Sequence, residues 1–379
     1  MSGVFDIAFV GGGIAALSAA YFLKGRRSVI ILESEEALGY HATGRSAAEF
    51  AFRFHTPLAG KLAALSFPFL DQPPDGFCDG PLLAPRGILL VAYAEKQARL
   101  AEVQASEGGA LESLTPEQAL ARAPILNPEG LAGALFDPEC WDIDVEQLFQ
   151  GYQRGARTNG GEVRTRSALL AAKRQAGLWH LETRTGKVMA RTVVNASGAW
   201  ADETAGLCGQ APLGLMPLRR TAITVSPPEG VVLAGLPEIE DIDEDWYMKP
   251  DAGKLLVSPA DEHLSPPCDA RPEEIDVAWA MHHVHEATIL RPERPDHAWA
   301  GLRTFAPDRA PIVGQRQTDD GFFWLAGQGG FGIQTSPALG LLAASILAGD
   351  PVPEDFAEFG TGAAKLSPNR FPLAPDHSG

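Results

Sequence analysis

The stretch from Asp6 to Glu33 admits few folds. Asp6-Ile-Ala-Phe-Val10 is an apolar run that ends in Gly11-Gly-Gly13, Ile14 to about Lys24 has helical composition, and Val29-Ile-Ile-Leu-Glu33 is a second apolar run closed by an acid. Strand, glycine turn, helix and strand make a βαβ unit, and the spacing Gly11-x-Gly13-x-x-Ala16 has a physical reason at each position. Gly11 allows the tight turn, Gly13 lets the backbone approach a pyrophosphate, and Ala16 lets helix and strand pack closely. A pyrophosphate then sits on unpaired N–H groups at the positive end of the helix dipole. Glu33 stands 20 residues beyond Gly13, where an acid takes both ribose hydroxyls of an adenosine and repels a 2′-phosphate. The unit therefore predicts a bound dinucleotide, FAD or NAD.

The rest of the composition narrows the class. A chain of 379 residues with 45% apolar and 21% charged residues has room for two compact units and a sizeable core. Its net charge of −17 argues against nucleic acid and anionic membrane as partners. Cys78, Cys140, Cys208 and Cys268 form no CxxC pair, which fits a reducing compartment and neither a disulfide framework nor a zinc site. No basic region followed by an apolar run precedes the first strand, and the longest helical apolar run, Leu339 to Ala348, falls short of the about 20 residues that cross a bilayer. A cytoplasmic protein without an integral membrane segment is expected.

Further along, Ala37 to Glu49 reads as a loop rich in glycine, hydroxyl and arginine that turns into a helix. It supplies donors to a diphosphate or an isoalloxazine ring, or else Thr43 or Ser46 simply caps the helix. Residues 71–86 are dense in turn formers and mark a crossing between units. A strand at Ile88 to Tyr93, a polar helix to about Ser106 and a capping box at Thr115-Pro-Glu-Gln118 follow. A helix capped by Asp144 runs to Asn159-Gly160 and gives way to a hairpin turning at Thr185-Gly186 and a buried strand at Thr192 to Asn195. Strands are expected at Thr221 to Val225, Trp246 to Lys249 and Leu255 to Ser258, the last two joined through Asp251-Ala-Gly253. The run Glu238 to Asp245, six acids in eight residues, reads as a solvated loop. A helix from Glu273 to about Leu290 shows Ile275, Ala278, Trp279 and Ile289 as its buried face. Its cluster His282-His283-Val-His285-Glu286 matches no standard metal spacing, so no metal is expected. Finally Gly321 to Ala326, Gly327-Gln-Gly-Gly-Phe-Gly332 and Pro337 to Leu347 repeat the order strand, glycine loop, helix. A second helix N-terminus is superfluous for NAD but stabilises the negative charge of a reduced flavin, which favours FAD.

Four segments resemble the D-amino-acid oxidase (DAO) superfamily of FAD-dependent enzymes: Gly11 to Ala16 with Glu33, Tyr40-His-Ala-Thr-Gly-Arg-Ser-Ala-Ala48, Val194-Asn-Ala-Ser-Gly-Ala-Trp200 and Gln328-Gly-Gly-Phe-Gly-Ile-Gln-Thr335. The likeness extends through Leu82 to Arg86, Arg219-Arg220, Trp246 to Pro250 and Trp299 to Phe305, and within the superfamily it is greatest to bacterial D-arginine dehydrogenase. It implies an α/β fold: an FAD-binding Rossmann-like domain of glutathione-reductase type, discontinuous over 1–83, 142–212 and 302–379, and a second α+β substrate domain of mainly antiparallel sheet over 84–141 and 213–301. Non-covalent FAD would contact Gly11, Gly13, Ile14, Ala15, Glu33 and Ser34. It would also meet the loop Thr43, Gly44, Arg45, Ser46, Ala47 and Ala48, then Gly198, and finally Gly329, Gly330, Phe331, Gly332, Ile333, Gln334 and Thr335.

The resemblance also implies a substrate site. Arg220 and Arg303 match arginines around a substrate carboxylate, Tyr247 a tyrosine donating to it, and Gly330 a glycine whose carbonyl faces the amine. The implied reaction is oxidative deamination of a D-amino acid by hydride transfer from Cα to flavin N5, giving an imino acid that hydrolyses to a 2-oxo acid and ammonia. No side chain beyond the flavin is needed for the redox step. The chain departs from the arginine-preferring pattern at three positions, with Glu49 for a histidine, Phe54 for a tyrosine and Ile88 for the acid that meets a substrate guanidinium. A neutral or apolar side chain is therefore expected, unless Glu49 has taken over the cation. Glu49 either accepts from the substrate amine or pairs with Arg53 on a helix face. Oxidation of an N-substituted amino acid (sarcosine, glycine or opine type) and a non-catalytic flavin-binding subunit are the competing readings. The electron acceptor is not readable.

Overall fold

The computed structural model describes residues 3–53, 56–107, 109–316 and 320–372. The βαβ unit expected at the N-terminus is present as strand Val4–Val10, helix Ile14–Phe22 and strand Val29–Leu32. These strands sit in an eight-stranded sheet whose centre is parallel, in the order Phe322–Ala326, Gly186–Asn195, Val4–Val10, Val29–Leu32 and Glu162–Arg164. The first strand shows why its residues are nearly all apolar. Ile7 and Phe9 point into a core shared with helices Ile14–Phe22, Val145–Thr158 and Ser336–Ala348, while Ala8 and Val10 point into a second core with Trp179, Ala201 and Trp324. Both faces of a parallel sheet are covered, so period-2 alternation of polar and apolar residues disappears.

A ten-stranded sheet forms the second layer, in the order Gln328–Gly329, His297–Phe305, Met216–Val225, Lys254–Ser258, Tyr247–Asp251, Glu238–Asp241, Ile88–Tyr93, Leu131–Asp137 and Glu112–Leu114, with His263–Leu264 beside Met216–Val225. All its pairings are antiparallel except Glu238–Asp241 against Ile88–Tyr93. A small sheet of Glu49–Ala51, Cys140–Ile143 and Leu83–Pro85 lies at the crossing between the layers. Local sequence rules hold where chemistry is local. Thr115 and Gln118 close a reciprocal capping box, Asp144 caps Val145–Thr158, and Asp251 pairs with Lys254 across the hairpin.

Three expectations fail. The residues after Ala47 form no helix: a 3₁₀ turn at Ala42–Arg45 is followed by Ala48 at φ +62°, which turns the chain into strand Glu49–Ala51. Glu49 is thus no helix-face partner of Arg53, whose guanidinium instead bonds Asp137 at 2.8 Å and Glu139 at 2.7 Å. The acidic run is likewise no solvated loop, for Glu238–Asp241 is an interior strand and Glu238 is 1% exposed. In helix Glu274–Ala287 the buried face is Asp276, Ala280, Val284 and Ala287, while Ile275 and Trp279 are exposed, as is Ile289 just beyond it. Small residues let this helix approach the sheet, and Asp276 is drawn in by Arg219 at 3.3 Å. None of the described helices is long and apolar enough to cross a membrane.

Candidate active site

A channel of three cavities runs between the two sheets. The first, about 380 Å³, is lined by Gly11 to Gly13, Glu33, Thr43 and Gly198. The second, about 140 Å³, shares Gly13, Thr43 and Gly198 with the first and continues to Arg303, Gly330 and Ile333. The third, about 290 Å³, shares Arg220, Tyr247, Arg303 and Gly330 with the second and adds Glu49, Glu240, Glu244, Glu262 and Arg309.

At the first cavity the glycines are required sterically. A Cβ on Gly11, which has φ +101°, would meet the Ala196 carbonyl oxygen at 2.4 Å, and one on Gly12 would meet Glu33 Oε2 at 2.9 Å. Glu33 fastens the turn: Oε2 accepts from Gly12 N at 2.7 Å and Oε1 from Glu35 N at 2.9 Å and Ser34 Oγ at 3.0 Å. Each carboxylate oxygen has two lone pairs, so an acid bound this way still has acceptor capacity toward a ribose. In the first helical turn Ile14 N donates to Thr43 Oγ1 at 3.1 Å, so Thr43 caps this helix rather than one of its own. The N–H of Ala15, a lining residue, has no partner among the described residues and remains available to an anion. Arg45 is committed to the protein: its guanidinium bonds the Ala270 and Ala300 carbonyls at 3.0 and 2.9 Å and pairs with Asp269, tying the loop to the second sheet.

The middle cavity holds features that motif reading missed. Thr304 Oγ1 and Gln328 Nε2 are buried without a hydrogen-bond partner among the described residues, and both residues line this cavity. Unpartnered buried polar atoms lining a narrow cavity are what a ring with several heteroatoms satisfies. Close approach is built in, since a Cβ on Gly329 would meet the Phe305 ring at 2.3 Å and one on Gly330 would meet the Arg303 guanidinium at 3.0 Å. Gln334 is turned away, accepting from Ala51 N at 3.0 Å, and Thr335 Oγ1 bonds the Phe331 carbonyl at 2.8 Å. These two order the loop that precedes helix Ser336–Ala348. The glycine turn, the unpartnered N–H and the orphaned donors fit a flavin dinucleotide along the first two cavities.

Sheet register assembles the third cavity. Arg220 lies opposite Gly301 and Leu218 opposite Arg303, so both arginines stand on one face, with glycine leaving room between them. Tyr247 lies opposite Glu240 on the neighbouring strands. Arg220 Nε donates to the Asp261 carbonyl at 2.8 Å, and its NH2 reaches Glu262 at 3.3 Å. Burial, and then the neighbouring Arg303 charge, hold Arg220 below the usual guanidinium range. Arg303 has no hydrogen-bond or ion-pair partner among the described residues. Two guanidiniums beside each other, one unpaired, form an anion site whose geometry suits a carboxylate. Against the cost of burial, Arg309, which reaches it at 3.0 Å, and both other arginines hold the Glu262 carboxyl below its ordinary range.

The remaining site residues divide. Ile88 is buried in a core with Ala51, Leu135 and Cys140 and is not among the residues lining the cavity. Phe54 lies outside the described residues. The expectation of a neutral side chain rested on Ile88 leaving no charge partner for a cation. That premise does not hold, because Glu49, Glu240 and Glu244 all line the cavity. The sequence signal was the acidic run itself. Its aspartates are neutralised, Lys96 reaching Asp241, Asp243 and Asp245 at 2.7, 3.4 and 2.6 Å, whereas Glu240 and Glu244 have no such partner among the described residues. His283, from the histidine cluster, stacks between Trp246 and Trp279.

Comparison with known proteins agrees with this geometry. Residues 6–346 match the DAO family model, described as FAD dependent oxidoreductase. Glycine oxidase of Geobacillus kaustophilus is 25% identical over 370 residues, covering 94% of this chain and 96% of its own length. Mitochondrial dimethylglycine dehydrogenase of Rattus norvegicus is 27% identical over 402 residues and 97% of this chain, but the chain spans only 45% of that longer protein. The solved L-alpha-glycerophosphate oxidase of Mycoplasma pneumoniae, with FAD bound, has the same fold at a TM-score of 0.80 and 17% identity, covering 91% of this chain and 95% of that one. The chain belongs to the DAO family of FAD-dependent oxidoreductases, and its cofactor is FAD.

Proposed function

We propose that the protein oxidises the carbon–nitrogen bond of an amino acid, with a D-amino acid as substrate and an imino acid, then a 2-oxo acid and ammonia, as products. The observation that carries this reading is the convergence of Arg220, Tyr247 and the unpaired Arg303 in a cavity that opens onto the flavin slot at Gly330. FAD supplies the two-electron acceptor. The chain's own residues have the task of orientation: the two guanidiniums and the phenol grip the carboxylate, which leaves Cα and the amine on the side of Gly330. On this reading the cofactor side is drawn from 1–83, 142–212 and 302–379, and the substrate side from 84–141 and 213–301.

A second reading, oxidation of an N-substituted amino acid or glycine, draws support from relatives named glycine oxidase and dimethylglycine dehydrogenase. Both readings use the same carboxylate clamp. A flavin-binding subunit without turnover is disfavoured by that clamp, which a scaffold does not need. The acids on the wall remove the ground for excluding cationic side chains. The deciding experiment adds D- and L-amino acids, glycine, sarcosine and dimethylglycine anaerobically to the yellow protein and follows bleaching of the flavin, then repeats turnover with oxygen and with an artificial acceptor. Bleaching by D-amino acids supports the first reading, bleaching by sarcosine or glycine alone the second, and no bleaching by any of them sinks both.

A further inference from the structure

Substrate ammonium must lose a proton before its Cα–H bond can be oxidised, and nothing in the carboxylate clamp can take it. Behind the clamp lies a group that can. Glu49 lines the substrate cavity, and its carboxyl, the thiol of Cys140 and the carboxyl of Glu238 lie within 4.8 Å of one another. Glu238 is 1% exposed, and its Oε2 is buried without a hydrogen-bond partner among the described residues. On the far side, Asp142 lies directly opposite Glu49 in the small sheet and holds Lys249 Nζ at 2.8 Å and the Arg86 guanidinium. Arg86, Asp142 and Lys249 line an adjoining cleft of about 430 Å³, which meets the substrate cavity along Ser46, Ala47 and Ala48. A file of titratable groups therefore leads from the substrate cavity to this cleft.

Two carboxyls this close, Glu49 half-buried at the cavity wall and Glu238 buried behind it, do not both ionise, so the pair holds one proton between them. The titratable groups facing the pair are Asp142 from strand Cys140–Ile143, Glu240 from the strand of Glu238, Lys249 from Tyr247–Asp251, Arg86 from the turn before Ile88, and Arg303 from His297–Phe305; burial, then Glu49 and Glu238, hold the Glu240 carboxyl well above its ordinary range. Burial, only partly offset by Lys249, holds both carboxyls above the ordinary glutamate range.

We propose that Glu49 and Glu238 form a proton-sharing pair that takes the proton of the substrate α-ammonium and passes it toward Asp142 and the second cleft. The inference rests on the amine-oxidation reading. In the step itself an N–H bond of R–CH(NH₃⁺)–COO⁻ breaks and an O–H bond forms on Glu49, giving the neutral amine and a carboxylic acid with no change of oxidation state. The proton then leaves through Glu238 and the Asp142–Lys249 pair to water, which restores the carboxylate. Glu49 is the catalytic residue, and Glu238 acts through it as a positioning residue.

Two measurements on the FAD-loaded protein test this. The first is the infrared carbonyl band of a protonated carboxylic acid at neutral pH, expected in the wild type and weakened in both Glu49→Gln and Glu238→Gln. The second is the rate of anaerobic flavin reduction by the best amino acid across neutral to alkaline pH. Glu49→Gln is expected to slow it on the order of 100-fold at neutral pH, with recovery toward wild type in alkali, where the amine arrives unprotonated. Glu238→Gln should shift the profile the same way by less. A band unchanged by both substitutions, or a Glu49→Gln profile parallel to wild type at every pH, overturns the proposal. Failure of every amino acid to bleach the wild-type flavin sinks the amine-oxidation reading and this step with it, whereas loss of the proposal alone leaves bleaching intact.

Discussion

At the glycine turn Glu33 spends its carboxylate on the protein, accepting from Gly12, Ser34 and Glu35, whereas in the substrate cavity Glu240, Glu244 and Arg303 face open space without an ion-pair partner among the described residues. The first region is made of neighbours in sequence and of backbone groups, and its charge is satisfied before any ligand arrives. The second is made of single side chains from separated strands, and its polar groups are left for a ligand to complete. Leaving such groups without a protein partner forgoes stabilisation, so a fold keeps them where function needs them. Substitutions should therefore fail in different ways in the two regions.

The largest effect is expected at the turn. Gly11→Ala places a Cβ within 2.4 Å of the Ala196 carbonyl oxygen at φ +101°. Backbone strain of about 1–3 kcal/mol adds to that clash, and neither neighbour is a flexible side chain. The protein should purify without flavin, which the ratio of flavin to protein absorbance checks; a yellow Gly11→Ala protein would contradict the role given to this turn. Arg303→Ala should leave the colour intact and instead lower kcat/KM for the best amino acid by about 2–5 kcal/mol of transition-state stabilisation, on the order of 100-fold or more. Loss of flavin from this variant would mean the two regions are not separable.

The same contrast explains what could be read in the sequence. The βαβ unit, the Thr115 capping box and the Asp144 cap depend on residues a few positions apart, and spacing alone reveals them. Arg220, Tyr247 and Arg303 were legible only through family resemblance, because their meeting depends on register between distant strands. The run Glu238 to Asp245 misled for a physical reason. Six acids hide the alternation of a strand, and the cations that neutralise its aspartates, Lys96 and Arg99, come from a 3₁₀ turn and the helix after it, far away in sequence. Glu49 was placed on a helix because Thr43 and Ser46 read as possible caps of one, yet one left-handed residue, Ala48, ended that possibility. Ile88 was taken for a cavity residue, although the cavity is walled by the strand next to it.

Glutamate-to-glutamine substitutions sharpen the comparison, since the same chemical change should have opposite signs in the two regions. Glu33→Gln removes charge from an acid that accepts three hydrogen bonds. A hydrogen bond to a charged group contributes about 1.5–3 kcal/mol, so FAD affinity should fall by roughly tenfold or more. Fluorescence titration of the flavin-free protein measures this, and unchanged affinity would show that Gly12, Ser34 and Glu35 hold the turn without the charge.

Glu238→Gln should stabilise the protein, by a smaller amount and only in part of the pH range. Burial and the adjacent Glu49 hold the Glu238 carboxyl well above its ordinary value of 4.5. A group whose value is raised by folding gives its full stability below the unfolded value, and loses it as pH rises through the folded one. Below about pH 4.5 the wild type carries a neutral acid and should match the variant. From there toward neutral and alkaline pH the unfolded wild type gains a favourable ionisation that the folded state resists, and glutamine has none to gain. The variant should therefore be the more stable by at least about 1 kcal/mol near neutral pH, seen as a higher midpoint in urea at saturating FAD. Equal midpoints throughout, or a loss in the variant, would mean that Lys249 and Asp142 fully compensate the charge and that the carboxyl pair behind the substrate cavity, like the glycine turn, is satisfied by its own protein. A gain in stability joined to slower flavin reduction at neutral pH would instead mark Glu238 as a group kept at a cost, because the reaction uses its proton.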